Sequence, residues 1–271
     1  LNRHVWLLLP ALALLSAAFL LPVGWLLSRA FTQPHPGFGN FVTLLERPVY
    51  LRVLWNTVVI SAIVTPVCVV LGYPVAHAMA FGSPQMRRVL VFLALLPLWT
   101  SLLVRCLATS ILLQRHGPLN MALLSLGLIH APLPLLYGLG GLVIGAVQTS
   151  LPFVILPLYA TMLSIDRSLM QAAFTLGAGP VRAFWRVYLP QTWPGILAGG
   201  TLVFIGTLGY YIVPAMLGGP RQTMIAQMIQ DQIASFGNWG MAGTLSLALL
   251  AITAVLLALL QATLGVRAIA R

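Results

Sequence analysis

Long, almost uncharged apolar runs decide what this chain can fold into. They extend from about Val5 to Phe31, Leu54 to Phe81, Val89 to Leu113, Leu139 to Ile165 and Trp193 to Leu217, with a sixth ending near Val266. Each holds roughly 25 residues, enough at about 1.5 Å per residue to cross a hydrocarbon core of about 30 Å even when tilted. With 60% hydrophobic and 6% charged residues, the composition lies far outside that of a water-soluble domain. Lipid offers nothing to bond a free peptide group, so runs of this length are expected to be helices. The sequence therefore predicts an all-α, polytopic membrane protein with six transmembrane helices, forming one transmembrane domain over residues 1–271.

The first run opens like a signal peptide behind Arg3 but is too long and has no convincing cleavage site, so it reads as an uncleaved anchor kinked at Pro10 and Pro22. Thr32 to Tyr50 and Gly218 to Gly240 read as loops on the outer side. Between Gln114 and Gly138, the stretch Met121 to Ile129 is only about half the length needed to cross. It is expected to be a short interfacial helix on the outer side, a seventh span being the alternative.

The net charge of +11 comes from 14 basic residues, all arginine, against 3 acids. These arginines are spread over short connections rather than gathered on a face, which points to membrane topology and lipid contacts and away from nucleic acid. Arg3, Arg87, Arg88, Arg167, Arg182, Arg186, Arg267 and Arg271 fall on one side of the six-span arrangement, against Arg29, Arg47, Arg52, Arg115 and Arg221 on the other. The richer side is expected to be cytoplasmic, with both termini on it.

One polar interruption, residues 166–190, stands between the last two pairs of spans on that side. At helical spacing Ser168, Gln171 and Thr175 share one face and Leu169, Ala173 and Leu176 another, an amphipathic helix of about three turns. Asp166 can cap it, Gly177 to Gly179 can supply a left-handed stop, and Pro180 suits the first turn of a second short helix. That second helix carries Arg182 and Arg186 one turn apart.

The segment reads Gln171-Ala172-Ala173, three residues, Gly177, nine residues, Val187-Tyr188-Leu189-Pro190. It resembles the EAA signature of permeases of bacterial ABC importers, Glu-Ala-Ala-x3-Gly-x9-Ile-x-Leu-Pro, with Gln171 in place of the glutamate and Val187 in place of the isoleucine. The resemblance implies the type I importer permease (MetI-like) fold and a coupling helix seated in a groove of a cytoplasmic ATPase. Gln171, Ala172, Ala173, Gly177, Arg182, Arg186, Leu189 and Pro190 are the coupling residues it implies. Small side chains at Ala172, Ala173 and Gly177 would let two backbones approach closely. Leu71-Gly72-Tyr73-Pro74, Trp99-Thr100-Ser101 with Arg105, Gly117-Pro118-Leu119-Asn120, Leu217-Gly218-Gly219-Pro220-Arg221 and Asn238-Trp239-Gly240 are similar to permeases of the spermidine/putrescine type. By that resemblance the partners are two ATPase subunits, a second related permease and a periplasmic substrate-binding protein in the inner membrane of a bacterium, and the solute is a polyamine. An amino-phosphonate or iron importer, or a motor-free channel, are the alternatives.

The residues themselves narrow the source of energy. A phosphate-binding loop of the Walker type needs a lysine, and the chain has none. Glu46, Asp166 and Asp231 all fall in connections, so no expected span carries an acid for a proton relay, and no Ser/His or paired-acid constellation suits an intramembrane enzyme. The expectation is a non-catalytic subunit that binds no cofactor, with ATP and magnesium used by the partner ATPase. Cys68 and Cys106 read as inert packing residues, and His4, His35, His77, His116 and His130 are too scattered to hold a metal. For the solute pathway the candidates are Arg105, a charge inside the third run, and the rings of Trp99, Tyr210 and Tyr211, which can face a cation. Gln148, Thr149 and Tyr159 are weaker ones.

Overall fold

The computed structural model describes residues 10 and 12–269. Arg3, His4, Arg271 and the beginning of the first run lie outside the described residues, as do the side chains of Arg167 and of residues 260–269, Arg267 among them.

Every regular element among the described residues is helical. In chain order these are α1 (Leu12–Thr32), α2 (Gly39–Glu46), α3 (Pro48–Phe81), α4 (Pro84–Trp99), α5 (Leu102–Leu113), α6 (Pro118–Ser125), α7 (Leu139–Ser164), α8 (Arg167–Thr175), α9 (Pro180–Ala183), α10 (Leu189–Leu208), α11 (Ile212–Leu217), α12 (Ile225–Ala234) and α13 (Trp239–Ile269). Among the described residues, α1, α3, α7 and the Trp239–Leu259 part of α13 are long and apolar enough to cross a membrane. The third expected span is not straight: α4 and the helical stretch Leu102–Ser125 meet at 102°, an angle that fits a broken span or a re-entrant loop, so the described residues hold four straight candidate crossings, or five if this bent pair is one. Pro97 weakens the end of α4, and the Thr100 hydroxyl donates to the Pro97 carbonyl at 3.1 Å, competing with the backbone ladder. The fifth expected span, Trp193 to Leu217, is also interrupted, because α10 stops at Leu208 and α11 starts at Ile212. A continuous helix there would drive the ring of Pro214 into the Tyr210 carbonyl.

Two connections hold more structure than their polarity suggests. Within Thr32 to Tyr50 lies α2, and within Gly218 to Gly240 lies α12, which places Asp231 on a helix rather than in a loop. Ile225, Met228, Ile229 and Gln232 recur at helical spacing among polar neighbours, and that stripe is what α12 turns inward. Met121 to Ile129, by contrast, forms no long helix: α6 ends at Ser125, and Gly127 has φ +68°.

The chain forms two compact units, one of Asn56–Thr223 and one of the flanking stretches up to Trp55 and from Met224 onward. The flanking unit has a core of Leu44, Tyr50, Val53, Ile225, Met241 and Leu245. Beside it the Trp25 and Trp239 rings meet edge-on at 5.4 Å, with the Arg29 guanidinium 4.4 Å over Trp25.

In the Asn56–Thr223 unit α7 and α10 pack closely. A Cβ at Gly199 would stand 2.9 Å from the Val154 Cα, so only glycine permits this separation. The connection after α5 is fastened by Asn120, which is wholly buried. Its Nδ2 donates to the carbonyls of Gln114 (3.1 Å) and Leu133 (3.0 Å), and its Oδ1 accepts from the Leu133 amide (3.0 Å). Replacing Asn120 by alanine strands these backbone groups, and is expected to lower stability by about 2 to 4 kcal/mol. Thermal unfolding of the detergent-solubilised chain reads this, and an unchanged midpoint would contradict it.

Candidate functional site: the segment between α7 and α10

Asp166 starts the segment as the N-cap of α8: its Oδ1 accepts from the Ser168 amide at 2.9 Å and its Oδ2 from the Ser168 hydroxyl at 2.7 Å. The amide bond first, and then the hydroxyl, holds this carboxyl below its ordinary range. The cap is thus intact wherever an ordinary carboxylate is ionised and weakens only as pH falls through the depressed value.

The helix ends in a Schellman arrangement. Gly177 N–H donates to the Phe174 carbonyl and Ala178 N–H to the Ala173 carbonyl, each at 3.0 Å. Gly177 alone carries the left-handed turn, at φ +80°, whereas Gly179 is extended at φ −66° and precedes Pro180 at the head of α9. Between α9 and α10 the backbone makes a π turn, Phe184–Tyr188. A second π turn, Ser16–Leu20, lies in α1. Each sits just ahead of a proline, Pro190 or Pro22, which lacks an amide hydrogen and crowds the carbonyl four residues back. One extra residue in the turn relieves that crowding.

The outward face of this segment is apolar with a basic border. Leu169, Phe174, Leu176, Val181 and Trp185 are exposed, Leu176 at 88%, and Gln171, Ala172, Arg182 and Arg186 are exposed around them. Ala173 is buried at 8%, turned into the chain, and so is Ala183. Of the three small residues expected on the docking face, Ala172 and Gly177 therefore face outward and Ala173 does not. Leu189 and Pro190 are half-buried where the segment enters α10.

The inward face shows a cluster that no motif announced. On α3, Tyr73, His77 and Phe81 follow one another at four-residue spacing, and Phe184, Tyr188 and Thr192 do the same across from them. The Tyr188 hydroxyl stands 3.3 Å from His77 Nδ1 and the Tyr73 hydroxyl 3.4 Å from Thr192 Oγ1. The rings of His77 and Tyr188 meet edge-on at 5.3 Å, and Phe81 and Phe184 pack on Tyr188 at 5.5 and 5.7 Å. His77, which looks isolated in sequence, thus sits among the rings of Tyr73, Phe81, Phe184 and Tyr188. Repeated aromatic spacing on two separate helices is the signal that could have found it.

The pathway candidates divide. Arg105, on α5, has Nε and Nη1 buried with no hydrogen-bond partner among the described residues. It lies within electrostatic reach of Tyr210, whose hydroxyl shares a 2.8 Å hydrogen bond with Ser150 Oγ. Trp99 (84%) and Tyr211 (42%) are exposed. Gln148 Oε1 accepts from the Thr109 hydroxyl at 2.8 Å, while the Thr149 hydroxyl is spent on the Gly145 carbonyl of its own helix. Cys68 and Cys106 are free thiols, both buried. Among the described residues no cluster of His, Cys, Asp or Glu could hold a metal ion.

Residues 68–270 match the family described as binding-protein-dependent transport system inner membrane component, and the chain belongs to that family. It is 35% identical over 252 residues to the spermidine/putrescine transport system permease protein PotB of Haemophilus influenzae, covering 93% of this chain and 86% of that one. The PotB protein of Escherichia coli K12 is 34% identical over 218 residues, 80% of this chain and 79% of its own length. Among solved structures, a bacterial ABC transporter that imports the acidic polysaccharide alginate superposes with a TM-score of 0.74 at 20% identity, over 96% of this chain and 94% of the other. That likeness establishes the importer permease fold.

Proposed function

We propose that this chain is a permease subunit of a polyamine importer, a gate opened by a separate ATPase that grips residues 166–190. The observation that carries the coupling half of this reading is that Leu169, Phe174, Leu176, Val181 and Trp185 are all exposed on a segment that also exposes Arg182 and Arg186. So large an apolar surface on a polar connection is the signature of a partner site. A groove with acidic rims would suit it. The names of the relatives that are more than a third identical carry the polyamine half.

In this reading the segment faces the cytoplasm with both termini, two ATPase subunits use ATP and magnesium, and a second related permease completes the pore. A periplasmic binding protein delivers the solute. The chain itself catalyses nothing. Acids able to meet a polycation within the membrane come from the second permease, because Glu46, Asp166 and Asp231 all lie outside the four long helices.

The test is reconstitution of the whole complex in proteoliposomes. Binding protein loaded with spermidine or putrescine should stimulate ATP hydrolysis and solute entry. Purification of the chain without a stoichiometric ATPase, or uptake that follows a pH gradient without ATP, would overturn the reading.

A further inference from the structure

The π turn Phe184–Tyr188 has two faces with different duties. Trp185 and Arg186 are exposed on the outer one, while Tyr188, only 2% exposed, is sealed against α3 on the inner one. These residues share one turn of backbone, so a load placed on the outer face displaces the inner one. The inner face is not a greasy contact that could slide freely. It has two hydrogen-bonded rungs, His77 to Tyr188 and Tyr73 to Thr192, set one helical turn apart on α3.

The second rung has a fixed polarity. The Thr192 hydroxyl donates to the Leu189 carbonyl at 2.7 Å, so it accepts from the Tyr73 hydroxyl. The rungs are long, 3.3 and 3.4 Å, and part-buried, so each is weak alone and they hold the register as a pair. A slip of α10 against α3 by one residue would break both together.

We propose that these two rungs form a latch that transmits movement of residues 166–190 to α3, with Pro190 setting the π turn that aims Tyr188 at His77. The proposal rests on the reading that an ATPase docks on the outer face. The residues position the helices and touch neither nucleotide nor solute. The Leu189-Pro190 pair thereby gains a role in the geometry of the turn, beyond any contact with the ATPase.

The test uses the complete importer with spermidine-loaded binding protein. His77→Phe keeps a ring in place and removes one rung, and Thr192→Val removes the other. Each is expected to leave ATPase retention and basal hydrolysis unchanged while lowering the stimulation by loaded binding protein about fivefold. Tyr188→Phe should lose the same stimulation, and the His77→Phe/Tyr188→Phe pair should be no worse than either single change, because both delete one contact. Retained ATPase with undiminished stimulation in His77→Phe and Thr192→Val, or additive losses in the pair, would overturn the latch alone. A wild-type complex that holds no ATPase would overturn the docking reading and the latch with it.

Discussion

Replacing Gly177 by valine is expected to cut substrate-stimulated ATP hydrolysis by the assembled importer about tenfold or more, while the chain still inserts in the membrane. Gly177 has φ +80°, a region that costs an L-residue about 1 to 2 kcal/mol and a β-branched one more. A Cβ there would meet nothing among the described residues within 4 Å, so the effect does not arise from a clash with them. It arises because the Schellman bonds from Gly177 and Ala178 fix the angle at which α9 leaves α8. Valine trades those bonds for a relaxed backbone and re-aims Val181, Arg182 and Trp185. Gly177→Asn separates the two parts of the argument, since asparagine accepts the left-handed turn but adds a side chain. If it restores stimulation, backbone direction is what matters; if not, the slimness of the face is. Full stimulation in Gly177→Val would remove the segment from the coupling path.

The local structure of residues 166–190 is legible in the sequence because its determinants are local. Asp166, Gly177 and Pro180 each act on the few peptide groups beside them, and cap, stop and restart all follow from side-chain chemistry. Which way Ala173 points was not legible, because that depends on what α8 rests against. Helix type was equally plain from the long apolar runs, yet their straightness was not. A pair of helices bent at Thr100–Ser101 has the same composition as one straight crossing, and Pro97 is only one of several prolines within these helices, α3 and α7 running unbroken through Pro66, Pro74, Pro152 and Pro157. The helix α12 was hidden for the opposite reason, its inward stripe of Ile225, Met228 and Ile229 being diluted by Gln227, Gln230 and Asp231. The rungs between α3 and α10 join residues more than a hundred positions apart, and only packing brings them together.

Arg105→Met is expected to raise the stability of the chain by about 2 kcal/mol and to leave spermidine uptake at or above the wild-type rate. Two nitrogens of its guanidinium, Nε and Nη1, are buried without a hydrogen-bond partner among the described residues. Each such donor costs about 1 to 3 kcal/mol, whereas methionine fills a similar volume and demands no partner. The three acids of the chain are at the end of α2, at the cap of α8 and on α12, so none lies on the helix that carries Arg105 or in α7, α10 and α11 around Tyr210. For transport the sign follows from the charge of the solute. Two like charges about 4 Å apart repel by about 4 kcal/mol at an effective dielectric constant of about 20, so a polycation whose path ran beside Arg105 would gain from its removal. An amino-phosphonate or another anionic solute would lose its one fixed counter-charge and slow down. Thermal unfolding in detergent and labelled spermidine uptake by proteoliposomes therefore read two separate consequences of one substitution. Slower spermidine uptake by the more stable variant would overturn the charge argument, and a wild-type importer that takes up an amino-phosphonate instead of spermidine would turn the substrate assignment from a polycation to an anion.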